Sequence, residues 1–273
     1  TSFEYGVEVT IQDENGTKYS GYWWVASPTI EGFDAKDCFD TAVKRAAAKL
    51  NPKGHRSGKF NLVLSTDCAS RVVTPVLNAL SAFGIQQNNS FLIDSVGKKI
   101  FHEGMTIRDL CRQKGKTGSR LFDSEGVATA ERPVIENGVV KMYFVNTYMS
   151  GKLGIDPTIE DVCRPAVDRY LSSELGEFKG TLDAEQIMKK CKNGILVTSF
   201  NGGNSNSSTG DFSYGIEGFA FRNGKITHPV REMLITGNFI TLWSNLIAAG
   251  EDSRDCTSRR IPTLAFKDVD FSA

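Results

Sequence analysis

Apolar and polar residues alternate from the start of the chain. Along residues 3–13, Tyr5, Val7, Val9 and Ile11 fall on one side, the period of a half-buried strand. Asn15-Gly16 follows, a pair that accepts the positive φ of a tight hairpin turn, and residues 19–25 supply a second strand. The construction recurs at Asn137-Gly138, between Val134-Ile135 and residues 139–145. It recurs again at Asn223-Gly224, between residues 218–222 and 225–227. Three such hairpins predict substantial antiparallel sheet.

Helical periodicity separates the hairpins. Asp34 or Asp37 caps a predicted helix to Leu50, with Phe39, Ala42, Val43, Ala46, Ala47 and Leu50 on its buried face. A strand at 60–64 leads into a helix starting near Thr66 or Asp67 and carrying Val72, Val73, Val76, Leu77 and Leu80. Pro75 inside it predicts a kink or a later start. Residues 183–191 read as a third helix ended by Asn193-Gly194. A short strand at 195–199, an apolar helix at 239–249 and a strand at 261–266 complete the pattern. Segment 151–180 has weak periodicity and predicts loop and irregular helix, suited to a cleft wall or an interface. No repeat of fixed period is present. Hairpins and helices without regular βαβ alternation predict an α+β fold with largely antiparallel sheet. The chain reads as one region, 1–273, with a division into 1–118 and 119–273 as the alternative.

Composition narrows the ligand classes. The chain has 273 residues, 40% hydrophobic, with 32 Lys+Arg against 32 Asp+Glu. Zero net charge and no basic run disfavour nucleic acid as the principal ligand. No apolar run reaches the ~18 residues of a spanning helix, and no secretory segment opens the chain, so no membrane partner is expected. Cys38, Cys68, Cys111, Cys163, Cys191 and Cys256 lack a CxxC pair and read as reduced thiols. Thr1 leads almost directly into a strand pattern, as in a fragment or a processed chain.

Candidate chemistry is sparse. His55, His102 and His228 are far apart in sequence. His102-Glu103 is the one HE pair, but Thr106 and Ile107 stand where a helical zinc site needs its second His. The loop 201–211, with Asn201, Gly202, Gly203, Thr209, Gly210 and Asp211, exposes backbone N–H groups that can approach a ligand or cradle an anion. Its ordinary alternative is a flexible hairpin connection. Asp123-Ser124-Glu125-Gly126 places two carboxylates two apart, for acid–base work in a cleft or merely in a solvated turn. Cys68, Cys163, Cys256 and Ser213 are candidate nucleophiles, yet none has a His nearby in sequence. Arg259-Arg260 and Lys189-Lys190 read as surface charge pairs.

Six stretches, in order, carry a resemblance covering nearly the whole chain. Phe122-Asp123-Ser124-Glu125-Gly126-Val127-Ala128-Thr129 is similar to an FDDEG-V-T signature, and Asn137-Gly138-Val139-Val140 with Tyr143 to "dGvl..Y". Residues 148–154 (YMSGKLG) match "sArklG", and Thr209-Gly210-Asp211-Phe212-Ser213 with Gly215 and Gly218 matches "TGdfSrGa.Gf". Residues 230–238 match "PV.e.ti.GN", and Ile261-Pro262-Thr263-Leu264 the closing "tPsl". The chain resembles the central and C-terminal region of the TldD/TldE family, whose TldE member is also called PmbA. In TldD-type chains the helix after the first internal strand carries HExxxH, which with a distant Cys holds zinc. Here the corresponding positions fall near Thr74, Pro75 and Ala79, and Cys256 is displaced toward Pro262.

The resemblance therefore implies a TldE/PmbA-type α+β fold without a metal of its own, and zinc in a TldD-type partner. It also implies a cytoplasmic heterodimer, or a self-associating chain, that acts on flexible or unfolded peptides and matures some peptides. Asp123, Glu125, Gly126, Asn201, Gly202, Gly203, Thr209, Gly210, Asp211 and Ser213 are then substrate-chamber or interface elements. The family's N-terminal α/β domain is absent from this sequence, and segment 154–180 fits the family loosely. Two alternatives are a binding module of the kind labelled a modulator of DNA gyrase, and a metal-independent hydrolase using Cys or Ser.

Overall fold

A computed structural model describes residues 2–30 and 34–273. The first two strands, β1 (Phe3–Gln12) and β2 (Lys18–Ser27), form an antiparallel ribbon with Gln12 opposite Lys18. Its turn is longer than a two-residue turn. Gly16 N–H donates to Asp13 O, Asp13 Oδ1 accepts from the N–H groups of Asn15 and Thr17, and Gly16 rather than Asn15 takes positive φ.

Helix α1 (Ala35–Ala48) is capped by Asp34, whose side chain accepts from Asp37 N–H. It lies on the ribbon through Cys38, Ala42 and Ala46, not through Phe39 and Ala47, which are exposed. The reason is close approach: a Cβ on Gly21 of β2 would stand 2.2 Å from Ala42 O. Only small residues fit there, so the bulkier apolar positions turn outward.

The main sheet is built from β3 (Gly58–Leu64), β8 (Tyr170–Leu171), β9 (Asn193–Ser205), β10 (Asp211–Arg222), β11 (Lys225–Asn238), β12 (Leu246–Ala249) and β13 (Leu264–Ser272). Its order is β11-β10-β9-β3-β13-β12-β8, and β11 also pairs with β13 through Leu234–Ser272 to Thr236–Asp270. That second pairing closes five strands (β11, β10, β9, β3, β13) into a ring. All neighbours are antiparallel except β3 and β9. A second sheet has the order β6-β5-β4-β7, from β4 (Ile107–Asp109), β5 (Arg132–Glu136), β6 (Val139–Val140) and β7 (Pro165–Val167). Mixed helices and mainly antiparallel sheets make the α+β class a finding.

Both sheets draw strands from either side of position 118/119: β4 pairs with β5 and β7, and β3 with β9 and β13.

Between the sheets lies one large apolar core. Helix α2 (Ser70–Ala79) gives it Val72, Val73, Val76 and Leu77, and α6 (Phe239–Ser244) gives it Phe239, Leu242 and Trp243. The fully buried Trp243 donates from Nε1 to Val72 O, tying the two helices together. Helix α3 (Ala82–Gln86) packs against α4 (Thr147–Leu153), whose N-cap Asn146 accepts from Met149 N–H. Helix α5 (Ala184–Cys191) is capped by Asp183 and buries Ile187 and Met188 against a smaller core on the outer face of the ring.

Several sequence expectations are corrected. Residues 239–249 do not form one helix: α6 stops at Ser244 and β12 begins at Leu246, because four consecutive buried residues fit between β13 and β8 as well as on a helix. Lys192, at φ 64°, ends α5, and Asn193-Gly194 already belongs to β9. Helix α2 begins at Ser70, so Pro75 sits inside it and cannot donate to the carbonyl of Arg71. The weakly periodic segment 151–180 holds two short strands, β7 and β8. The Asn137-Gly138 and Asn223-Gly224 turns carry positive φ at both residues, as a tight two-residue hairpin requires.

Candidate functional site

The stretch 201–211 is mainly strand. β9 runs thirteen residues, to Ser205, and the turn itself occupies only 206–210. β9 carries two bulges. One extra residue, Thr198, lies between the Ser199–Glu217 and Val197–Gly218 pairs, and another lies between Gly203–Tyr214 and Phe200–Ile216. Gly203, at φ 97°, faces the Ser213 carbonyl so closely that a Cβ would be 2.2 Å from it. Bulges bend a strand away from its neighbour and re-aim its edge. β3 pairs with β9 only at 195–197, ending with Ser65 N–H on Val197 O. Past that point the edge of 198–205 has no strand partner among the described residues.

This edge forms one wall of an open cleft of about 750 Å3. Helix α2 forms the other wall with Arg71, Thr74, Pro75 and Asn78, spaced by three and four and so on one face. The opposite face of the helix holds the core valines. Arg259, from the loop before β13, completes the cleft and donates from Nη1 to Thr74 Oγ1 at 3.0 Å. Arg71 lies over the Tyr214 ring, 4.5 Å from its centroid, with Nη2 donating to Gly203 O at 3.3 Å. Neither arginine has an ion-pair partner among the described residues. The hydroxyl of Thr198 is buried and unpartnered among the described residues, and Thr198 lines the cleft.

Asp67 is the one carboxylate in the lining among the described residues, and both its oxygens are engaged. Arg45 Nη2 reaches Oδ2 at 2.6 Å and Arg254 Nη1 reaches Oδ1 at 3.2 Å. The two guanidiniums also bracket the Trp23 ring, at 4.1 and 3.9 Å from its centroid, and Arg254 donates to Trp24 O. This cluster joins α1, the β1–β2 ribbon and the loop 250–260 beside the cleft.

Zinc needs His, thiolate or free carboxylate donors in a tetrahedral set. The cleft offers Thr74, Pro75 and Asn78, while Ala79 is buried in the core. The Cys68 thiol is buried and pushed up to about 12, chiefly by that burial. With two guanidiniums at the cleft, these residues do not fit a zinc ion. A second cluster, Asp109, Cys111 and Cys163, brings its ligand atoms within 4.8 Å of one another. It does not fit a cation either: Arg120 Nε stands 2.9 Å from Cys163 Sγ, and Asp109 accepts from the N–H groups of Cys163 and Arg164.

The predicted residues fall in two separate places. Asn201, Gly202 and Gly203 are in β9, and Asp211 and Ser213 are in β10. Thr209 and Gly210 lie in the turn, where Thr209 Oγ1 donates to Asp211 Oδ2 and Asn238 Nδ2 donates to Asp211 Oδ1. These bonds, Asn238 first, hold the Asp211 carboxyl below the usual range. Ser213 is exposed.

The second place is the Asp123–Gly126 turn, where Ser124, Glu125 and Gly126 are exposed. Asp123 is buried and accepts from the N–H groups of Glu125, Val127 and Glu160. Glu125 accepts from the N–H and hydroxyl of Thr147, at the start of α4, and Gly126 takes φ 81°. No hydrogen bond or ion pair joins this turn to the 201–213 hairpin among the described residues. His55 and His228 do meet, with centroids 5.8 Å apart, while His102 packs on Tyr170.

Sequence reasoning missed Arg71, Arg259 and Asp67. The polar stripe Arg71, Thr74, Asn78 on α2 was a usable signal. The Arg259 contact, 185 residues from Thr74, left none.

A closed ring of strands, with an open strand edge beside a cleft whose lining lacks a zinc donor set, defines an α+β domain. Residues 57–273 match the family model of the PmbA/TldA metallopeptidase C-terminal domain, and the chain belongs to the PmbA/TldD family. It is 27% identical to the metalloprotease PmbA of Escherichia coli O157:H7 over 243 residues, covering 89% of this chain and 52% of that protein. It is 29% identical to the Haemophilus influenzae PmbA homologue, covering 78% of this chain and 46% of that one. The chain thus spans about half the length of these curated relatives.

Among solved structures, a Bacteroides thetaiotaomicron protein named as a candidate modulator of DNA gyrase superposes with TM-score 0.93 at 40% identity, over 100% of this chain and 60% of that one. TldE from Thermococcus kodakarensis superposes with TM-score 0.84 at 18% identity, over 100% and 63%, and shares the fold. No described helix is long and apolar enough to cross a membrane.

Proposed function

We propose that this chain is the metal-free, TldE-type subunit of a TldD–TldE-like metalloprotease. It holds flexible or unfolded peptide in extended form along the open edge of β9, and a TldD-type partner supplies the zinc. The observation that carries this reading is the unpaired edge at 198–205, beside an α2 face bearing Arg71, Thr74 and Asn78 in place of metal ligands. An added strand needs free backbone N–H and C=O groups, not catalytic side chains. The complex is taken to work in the cytoplasm.

A metal-independent hydrolase gains no support. Cys163 is pushed up to about 11 by burial, and no His bonds to Cys68, Cys163, Cys256 or Ser213 among the described residues.

Amide hydrogen exchange with and without an unstructured peptide tests the binding step. The reading expects protection concentrated at 198–205. Protection elsewhere only, or none at saturating peptide, contradicts it.

A further inference from the structure

The cleft has a charge preference that strand addition alone would not give. Backbone pairing is indifferent to the charge of the peptide. Yet of the arginines without an ion pair, two, Arg71 and Arg259, line this one cleft. Among the described residues, the only carboxylate there, Asp67, is neutralised by Arg45 and Arg254. Each free guanidinium is also held in place. Stacking on Tyr214 and the bond to Gly203 O fix Arg71 against β9, and Thr74 Oγ1 fixes Arg259 against α2. In each, the remaining N–H donors have no partner. A planar fork held this way matches a carboxylate in two-point geometry. Thr198, also in the lining, brings a buried hydroxyl that lacks a partner among the described residues.

We infer that the cleft selects peptides carrying a carboxylate, bound between Arg71 and Arg259 while the peptide backbone lies on the edge of β9. The inference rests on the reading of that edge as a peptide site. The carboxylate belongs either to an acidic side chain or to the peptide's C-terminus, two sources of one chemistry.

Calorimetric titration of the whole chain with four versions of one unstructured peptide tests this. The versions carry Glu or Gln at a central position, each with a free or an amidated C-terminus. One carboxylate source is expected to tighten binding about tenfold over the uncharged peptide, the order of a charge-assisted pair. Which version gains identifies the source. Arg259→Gln should erase the gain of the charged over the uncharged peptide, and Arg259→Lys should restore part of it. Arg259 is exposed, so these variants should keep the parent melting temperature. Equal binding of all four peptides, with 198–205 still protected from exchange, overturns the charge preference and leaves the edge reading standing. No binding by any version overturns both.

Discussion

Arg259 and Thr74 meet across the cleft, guanidinium nitrogen to hydroxyl oxygen at 3.0 Å. Thr74 stands where the resemblance to TldD-type chains puts the first histidine of their metal helix. A fixed positive charge on that side chain opposes a divalent cation there. The Thr74 hydroxyl is instead engaged in a hydrogen bond between α2 and the loop 250–260.

Asp67 should be the most sensitive polar residue near the cleft. It bridges Arg45 and Arg254, its side chain is 19% exposed and that of Arg254 is 14% exposed. Asp67→Asn leaves two guanidiniums beside Trp23 without their shared anion. The expected cost is about 2–4 kcal/mol, the range for breaking a largely buried pair. Urea titration of both proteins checks it. A loss below about 1 kcal/mol would mean that solvent already screens the pair.

The thiols should be slow. Burial pushes Cys68 and Cys191 up to about 12 and Cys163 to about 11. The thiolate is the reacting form, so each is almost wholly protonated near neutral pH. Mass spectrometry after iodoacetamide treatment at about pH 7.5 should find these three unmodified in folded protein and modified in denaturant. Rapid alkylation of Cys68 in the folded chain would revive a nucleophilic role.

Stability should fall with acid at one identifiable pair. Burial first, then the charges of His228 and Arg56, hold His55 below its ordinary value of 6.5. The folded chain thus favours the neutral ring. That contribution is complete above the ordinary value and is lost as pH drops through the lowered one. The melting temperature should decline between about pH 7 and pH 5, and less steeply in His55→Gln. Identical slopes in the two proteins would exclude His55 as a source.

Local signals in the sequence were legible where a few neighbouring residues decide the outcome. The Asn137-Gly138 and Asn223-Gly224 turns and the Asp34 cap follow from backbone chemistry within four residues. Signals failed where the deciding partner is distant. Residues 246–249 are apolar enough for helix or strand, and only β13 and β8 make them a strand. Asn201, Gly202 and Gly203 look like loop by composition, but pairing with β10 extends β9 through them by way of two bulges. Phe39 looked like a core residue until Gly21 brought α1 too close to the ribbon for a large side chain. At the cleft, the absence of His from α2 could be read directly, while Arg259 against Thr74 could not.

The most direct test of the central claim is peptidase activity with metal analysis, on the purified chain alone and mixed with a TldD-type partner from the same source. The account predicts no activity and no bound zinc in the chain alone. It predicts activity with one zinc per heterodimer in the mixture, abolished by a chelator. Activity in the chain alone would contradict it and return attention to Cys68, Cys163, Cys256 and Ser213.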